Sequence, residues 1–326
     1  MIESEASEIL VARCRRIRVA VLLPCYNEAP AIGLVIEEFR KSLPYAEIYV
    51  YDNNSSDGTA AVAAAHGAIV RREIRQGKGS VVRRMFGDIE ADIYLLTDGD
   101  NTYDAASAPL LINALLEGPY DVINGARVER STNAYRPGHR FGNRLFSTII
   151  RIAFGSTWSD MLSGYKVMSR RFVKTFPIVS RGFEIETELL IHTCETRAST
   201  IEIPTPYGER CENSFSKLRT FRDGLRILRV ILIMIKDEKP LQFFSVIGSL
   251  LALASIVLAW PLFAEFARTG LVPRLPTAVL ATGLMLLAFL SFFSGLLLDS
   301  IAASRREAKR LAYLALPGLP NDIDAN

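Results

Sequence analysis

Three polar clusters in this sequence each follow an apolar stretch of strand length, and each carries groups able to hold a charged ligand. Asp98-Gly99-Asp100 follows residues 92–97 (DIYLLT), and the glycine lets both carboxylates turn toward one point. Two carboxylates with few other protein ligands suit Mg2+ or Mn2+, which fill their remaining positions with substrate phosphate oxygens. Such a cation stabilises the charge on a departing diphosphate. Pro24-Cys25-Tyr26-Asn27-Glu28 follows residues 18–23 (RVAVLL), and Asp52-Asn53-Asn54-Ser55-Ser56-Asp57-Gly58-Thr59 follows residues 47–51 (EIYVY). One cluster of this kind is a turn signal. Three of them, delivered by three strands, describe a site.

Further along, Arg127 closes a short apolar stretch (121–124) behind Gly125 and Ala126. Residues 135–143 bring Arg136, His139 and Arg140 around a Pro-Gly turn, and Ser159-Asp160-Met161-Leu162-Ser163-Gly164-Tyr165 leads into a strand at 166–169. Several cations near one acid fit an anionic substrate. Gly77-Lys78-Gly79 continues neither to G-x-G-x-x-G, since Val82 stands at the last glycine position, nor to G-x-x-x-x-G-K-[ST], so a dinucleotide fold and a P-loop are disfavoured. Lys78 nonetheless opens a helix, where an anion can sit. The three histidines, His66, His139 and His192, are isolated, which speaks against a zinc hydrolase. His192 shares a helical face with Glu188, a spacing that reads as a hydrogen-bonded pair.

Positioning these clusters is the task of alternating elements. Apolar strand-like runs at 18–23, 47–51, 69–72 and 92–97 alternate with helical periodicity at 31–42, 58–66 and 79–90. That alternation implies a mostly parallel sheet covered by helices. In such sheets ligands bind beyond the carboxyl ends of the strands, where the three clusters fall.

The 326 residues carry 38 Lys+Arg against 35 Asp+Glu, so the chain lacks the basic excess of a nucleic-acid binder. With 49% hydrophobic residues, its mean hydropathy is +0.19, and the excess is concentrated at the C-terminal end. Residues 241–264 and 276–298 contain no charged side chain. As helices, both are long enough to cross a hydrocarbon core of roughly 30 Å. The short connection makes them an antiparallel hairpin. Arg222, Arg226, Arg229, Lys236 and Lys239 precede the first span, and Arg305, Arg306, Lys309 and Arg310 follow the second, against Arg268 and Arg274 between them. The positive-inside rule then puts the N-terminal domain in the cytoplasm. Before the first span, Leu218, Phe221, Leu225, Leu228, Leu232 and Ile235 form a helical stripe beside a basic one, the pattern of a helix lying on an anionic membrane surface. The N-terminus lacks the apolar core of a secretory signal. Cys14, Cys25, Cys194 and Cys211 have no zinc-like spacing and are expected to be free thiols.

Taken in order, Pro24–Glu28, Asp52–Thr59, Gly77–Gly79, Asp98–Asp100, Gly125–Arg127, Asp160–Tyr165, Gly182-Phe183-Glu184 and on to Leu189, Ser216-Lys217 and Asp223-Gly224, together with two C-terminal spans, resemble a GT-A-fold family 2 inverting glycosyltransferase. More narrowly, they resemble the polyprenyl-phosphate, dolichyl-phosphate mannose synthase-like branch. The resemblance implies an α/β GT-A Rossmann-like sheet with flanking helices, an amphipathic juxtamembrane helix and a two-helix transmembrane hairpin. It divides the chain into a cytoplasmic catalytic domain (1–216), a juxtamembrane helix (217–239), the spans (240–300) and a cytoplasmic tail (301–326). It implies that Pro24, Tyr26, Asn27, Glu28, Asp52, Lys78 and Asp98 bind the nucleotide, and that Asp98 and Asp100 take Mg2+ or Mn2+. Arg127, Arg136, Arg140, Arg210, Ser216 and Lys217 would face phosphate, Glu184 and Glu186 the sugar, and Asp160 stands where the family has its base, with Asp100 beside the reaction. The implied partners are a UDP- or GDP-sugar, a polyprenyl phosphate, a lipid bilayer and further copies of the chain in a homo-oligomer, as the tetramers of related membrane enzymes suggest.

Three positions depart from the family pattern. Asn53 replaces a carboxylate, Thr102 stands where a glutamine is common, and Lys166 replaces an arginine, losing its bidentate fork. Two other readings compete. A processive polysaccharide synthase usually has more spans and a Q-x-x-R-W motif, yet neither Trp158 nor Trp260 follows an arginine. A non-catalytic nucleotide-binding membrane scaffold has no need of the paired carboxylates or of Asp160.

Overall fold

The computed structural model describes residues 17–129, 148–155, 158–177, 182, 184–209, 220–272 and 274–319; side chains of residues 220–227 and 230 are outside the description. Two compact units emerge, one of residues 1–228 and 309–326, the other of residues 229–308.

The first unit is built on a seven-stranded sheet. Its strands are β1 (Val19–Cys25), β2 (Glu47–Asp52), β3 (Ile69–Arg72), β4 (Ile93–Leu96), β5 (Val122–Glu129), β6 (Lys166–Ser169) and β7 (Thr200–Tyr207). They lie in the order β3-β2-β1-β4-β6-β5-β7. Parallel pairing joins β1 to β2 and β4, β2 to β3, and β5 to β7, whereas β6 runs antiparallel to both β4 and β5. All but β6 therefore end at one edge, and β6 begins there. Strands β1 and β4 are apolar without alternation because both faces are covered, as in parallel sheets.

Helices α1 (Ala29–Ser42), α2 (Thr59–Ala65), α3 (Lys78–Asp88) and α4 (Ala108–Glu117) follow the first four strands. Proline in the first turn starts α1, and its Ile32, Val35, Ile36 and Phe39 bury against the sheet. Helices α5 (Arg170–Lys174) and α6 (Ile185–Thr196) complete the cover, and α7 (Thr220–Glu238) follows. The expected element order is observed with shifted ends. β5 runs five residues past the expected 124, because its second half pairs with β7 as far as Glu129 opposite Tyr207.

Residues 309–319 belong to this first unit rather than standing apart as a tail. Lys309 Nζ lies 2.7 Å from Glu195 Oε2, Arg310 donates to the Glu195 carbonyl, and the buried Tyr313 hydroxyl bonds Asp121. Arg171 grips the same Asp121 and covers the Tyr313 ring at 4.8 Å.

The second unit contains α8 (Pro240–Thr269) and most of α9 (Leu275–Leu314). Both are long and apolar enough to cross a membrane, and their most apolar windows are only 17% buried, unlike the core helices of a soluble protein. Small residues line the contact at seven-residue intervals: on α9, Ala281 meets Ser255, Ala288 meets Gly248, and Gly295 meets Leu241 and Phe244 of α8. A Cβ on Gly248 would reach 3.0 Å from the Phe292 ring, and Ser255 Oγ donates to the Ala281 carbonyl at 2.7 Å. Small residues let apolar helices approach closely, and a seven-residue period keeps one seam in contact. Helix α9 continues 16 residues past the end of the uncharged run at 298. The added residues are mostly Ala, Arg, Glu, Lys and Leu, strong helix formers, so charge ends the apolar run without ending the helix.

Candidate functional site

Three asparagines take left-handed backbone at the strand ends: Asn27 after β1 (φ 53°), Asn54 after β2 (φ 63°) and Asn101 after β4 (φ 59°). Asparagine tolerates this region better than most residues, and such backbone gathers at functional sites. The first two loops are tied together. Asn27 N–H donates to Ser55 Oγ, Ser56 N–H to Asn27 Oδ1, and Glu28 N–H to Thr59 Oγ1, all at 2.8–2.9 Å. Pro24 stands in β1 opposite Tyr51, Tyr26 is exposed, and Glu28 is buried. At the end of β2, Asp52 Oδ2 accepts from Ser55 N–H, while its buried Oδ1 has no hydrogen-bond partner.

Asn53 explains its own departure from the family pattern. Its amide donates to the carbonyls of Glu73 (2.8 Å) and Arg75 (2.9 Å), and its Oδ1 accepts from Gly77 N–H (2.7 Å). A carboxylate has no donors for two carbonyls. The loop it holds turns at Gly77, whose φ of 123° favours glycine, and delivers Lys78 to the start of α3.

Lys78 sits between two acids. Its Nζ is 2.6 Å from Asp98 Oδ1 and 2.5 Å from Glu186 Oε1 in the first turn of α6. Burial works to lower the lysine pKa, and the two carboxylates outweigh it and raise it. Burial likewise raises Glu186, against the pull of Lys78. Glu184 is buried immediately before α6. Asp100 is buried two residues beyond Asp98 and accepts from Thr102 Oγ1 at 2.6 Å, so the threonine orients this carboxylate. On the other side of Asp98 runs the backbone of Gly164, where an added Cβ would lie 2.9 Å from Asp98 Oδ2.

A second ion pair faces the same edge. Arg127 on β5 donates to Asp160 through its backbone N–H (3.1 Å), Nε (2.7 Å) and a terminal nitrogen (2.7 Å). Burial would raise the Asp160 carboxyl, but Arg127, aided by Lys166, holds it below the usual carboxylate range. The Arg127 guanidinium also lies 5.5 Å from the Tyr207 ring. Lys166, fully buried at the start of β6, donates to Asn124 Oδ1 (2.5 Å) and sits 4.4 Å from the Trp158 ring. Burial pulls its pKa down to about 8, against the charges of Glu186, Asp160 and Glu202.

The described residues thus bring Asp98, Asp100, Lys78 and Glu186 together, and Arg127 with Asp160. Arg136, Arg140, Arg210, Ser216 and Lys217 lie outside them. So do Cys14 and Cys211. No cluster of three or more His, Cys, Asp or Glu among the described residues could cage a metal. The donor set instead fits a divalent cation completed by substrate oxygens: two carboxylates on one turn, one of them partly exposed. His192 departs from expectation. Its Nε2 lies 3.4 Å from Thr175 Oγ1 rather than on Glu188, and its ring sits 5.0 and 5.2 Å from Phe172 and Phe176. Burial drives its pKa to about 3, so it stays neutral. Sequence reading missed Asn124, Glu202 and the structural part of Gly164; the strand bearing Glu202 was hidden by Pro204 and Pro206, which an edge strand tolerates.

Residues 20–176 match the model of the family described as glycosyl transferase family 2. Glycosyltransferase AglJ of Haloferax volcanii is 32% identical over 298 residues, which cover 91% of this chain and 98% of that protein. A dolichyl-phosphate hexose transferase of the same organism is 27% identical over 221 residues, 68% of this chain and 95% of the relative. Among solved structures, glucosyl-3-phosphoglycerate synthase of Mycobacterium tuberculosis, in complex with Mn2+, UDP-glucose and glycerol 3-phosphate, aligns with a TM-score of 0.57. That alignment has 23% identity and covers 69% of this chain and 82% of that one.

Proposed function

Because the chain belongs to glycosyl transferase family 2, in the branch with polyprenyl-phosphate-type relatives, we propose that this glycosyltransferase moves a sugar from a nucleoside-diphosphate donor to a polyprenyl phosphate, with inversion. The observation that carries the reading is the meeting, at one sheet edge, of the Asp98–Lys78–Glu186 group and the Arg127–Asp160 pair. Two long apolar helices in the same chain supply the reason for a lipid acceptor. Basic flanks at Lys236, Lys239, Arg305 and Arg306 support a cytoplasmic catalytic domain.

On this reading the 24–28 loop and Asp52 hold the base and ribose, and Lys78 lies beside the diphosphate. Asp98 and Asp100 would hold Mg2+ or Mn2+. When bound, that cation neutralises charge on the leaving diphosphate. Asp98, Asp100, Asp160, Glu186 and Glu202 outnumber Lys78, Arg127 and Lys166 among the described residues, an excess that suits a divalent cation.

Arg127 binds the acceptor phosphate. A phosphate monoester has a second pKa of about 6 and is already a dianion near neutral pH. It needs little help from a base, and a carboxylate held low by Arg127 is a weak proton acceptor. Asp160 therefore orients the guanidinium and faces the positive charge that develops on the anomeric carbon.

The test uses the full chain in a lipid nanodisc with Mn2+, a polyprenyl phosphate, and UDP-glucose, UDP-N-acetylglucosamine, UDP-glucuronic acid or GDP-mannose in turn. A lipid-linked sugar from at least one donor is expected, reduced at least a hundredfold by Asp160→Asn. No product from any donor, or near-normal turnover of the variant, refutes the reading.

A further inference from the structure

Glu202 lies outside every cluster that marks the site in the sequence, yet its carboxylate accepts four hydrogen bonds there. Oε2 takes Ser159 N–H (2.8 Å) and Ser159 Oγ–H (2.6 Å). Oε1 takes Asp160 N–H (3.0 Å) and Asn124 Nδ2–H (2.8 Å). Asn124 also donates to the Asp160 carbonyl at 3.0 Å and is fixed by Lys166. The peptide groups on both sides of Asp160 are thus gripped from β5 and β7, while Arg127 grips its side chain. Every neighbour of Glu202 in this set is a donor, and an ionised carboxylate is the side chain that offers acceptors alone, with about four lone-pair sites.

We propose that Glu202 is a positioning residue for sugar transfer: it fixes the 159–160 turn so that the Asp160 carboxylate and Arg127 are aligned before substrate arrives. Preorganised groups of this kind cost no rearrangement when charge develops. The inference rests on the role given to Asp160 above. A tie that merely joined β5 to β7 would show up in stability and leave Asp160 chemistry alone.

The decisive variant is Glu202→Gln, whose NH2 replaces one carboxylate oxygen and must face a backbone N–H of Ser159 or Asp160, donor against donor. It is made in the full chain carrying Trp260→Phe, which leaves Trp158 as the single tryptophan. Trp158 is 3% exposed and directly precedes the turn. Expected results are a loss of turnover of about tenfold or more, a donor KM within about twofold, and stronger acrylamide quenching of Trp158 as the turn loosens. In an Asp160→Asn background the same substitution should change the residual rate by less than about twofold, because residues acting as one unit are not additive. A second full loss in that background, or unchanged turnover and quenching, overturns the proposal. Should Glu202→Gln fail to fold, Ser159→Ala removes one of the four bonds; a loss of about threefold that vanishes beside Asp160→Asn supports the proposal, and an additive loss overturns it. A parent chain that transfers no sugar sinks the function proposed above, and the quenching comparison then decides on its own whether Glu202 holds the turn.

Discussion

Removing the charge of Lys78 tests the electrostatics of the donor side directly. In Lys78→Met the stem volume remains and the ammonium between Asp98 and Glu186 is gone. The Glu186 side chain is 5% exposed and that of Asp98 30%, so one carboxylate is left buried and a second partly screened. Breaking a buried pair from one side costs about 3–5 kcal/mol. In a unit of this size, each kcal/mol lowers Tm by about 2–4 °C, giving a drop of about 6–20 °C. The deficit has a sign in pH. Burial already holds the Glu186 pKa above its ordinary value, and loss of Lys78 raises it further. A group with a raised folded pKa favours the folded state at low pH and loses that contribution as pH rises through the folded value. The variant should therefore lie closer to the parent at pH 5 than at pH 8. Mn2+ added at pH 8 should recover part of the loss by supplying positive charge to the orphaned carboxylates. Tryptophan-fluorescence melts of the two full chains in the same detergent read all three effects. A Tm within 2 °C of the parent at pH 8, or a deficit that grows toward pH 5, would refute the electrostatic account.

Three further perturbations probe the supports. Asn53→Asp loses both donors to the 73–77 loop and sets a carboxylate against two carbonyls, so stability should fall by roughly 2–4 kcal/mol and the donor KM should rise; an unchanged donor KM separates this loop from Lys78. Gly164→Ala places a Cβ against Asp98 Oδ2, and turnover should fall at least tenfold while Tm shifts by less than about 3 °C, read by the same melts and transfer assay. Lys166, with a pKa near 8, is charged below that value and neutral above it, so turnover should decline on an alkaline limb near pH 8. Lys166→Arg, restoring the family's usual residue, should move the limb out of range; an identical pH profile excludes Lys166 as its source.

How far these features can be read in the sequence depends on where their cause lies. β1 and β4 are legible because a strand covered on both faces must be apolar throughout, β2 because Ile48, Tyr49, Val50 and Tyr51 favour a strand, and the loops behind all three because polar residues next to such strands have to serve something. The second half of β5 is not, since Gly125-Ala126-Arg127 forms a strand by pairing with a segment about 78 residues away. The same distance hides Glu202. Its local context, T-I-E-I-P-T-P-Y, reads as a broken strand, and nothing nearby reveals that its carboxylate ends beside Asp160. Asn53 marks the opposite case. The sequence shows a missing carboxylate, and the fold shows that the position needs an amide's donors.

The docking of Lys309, Arg310 and Tyr313 onto Glu195 and Asp121 has a consequence for the making of the protein. The catalytic unit is assembled from chain segments separated by the whole of residues 229–308. A ribosome that has released the last strand of the sheet has not yet made the segment that covers Asp121, and both apolar helices must be synthesised first. Completion of the first unit is thereby placed after synthesis of both apolar helices, and a chain stalled before residue 309 leaves Asp121 without its Tyr313 cover.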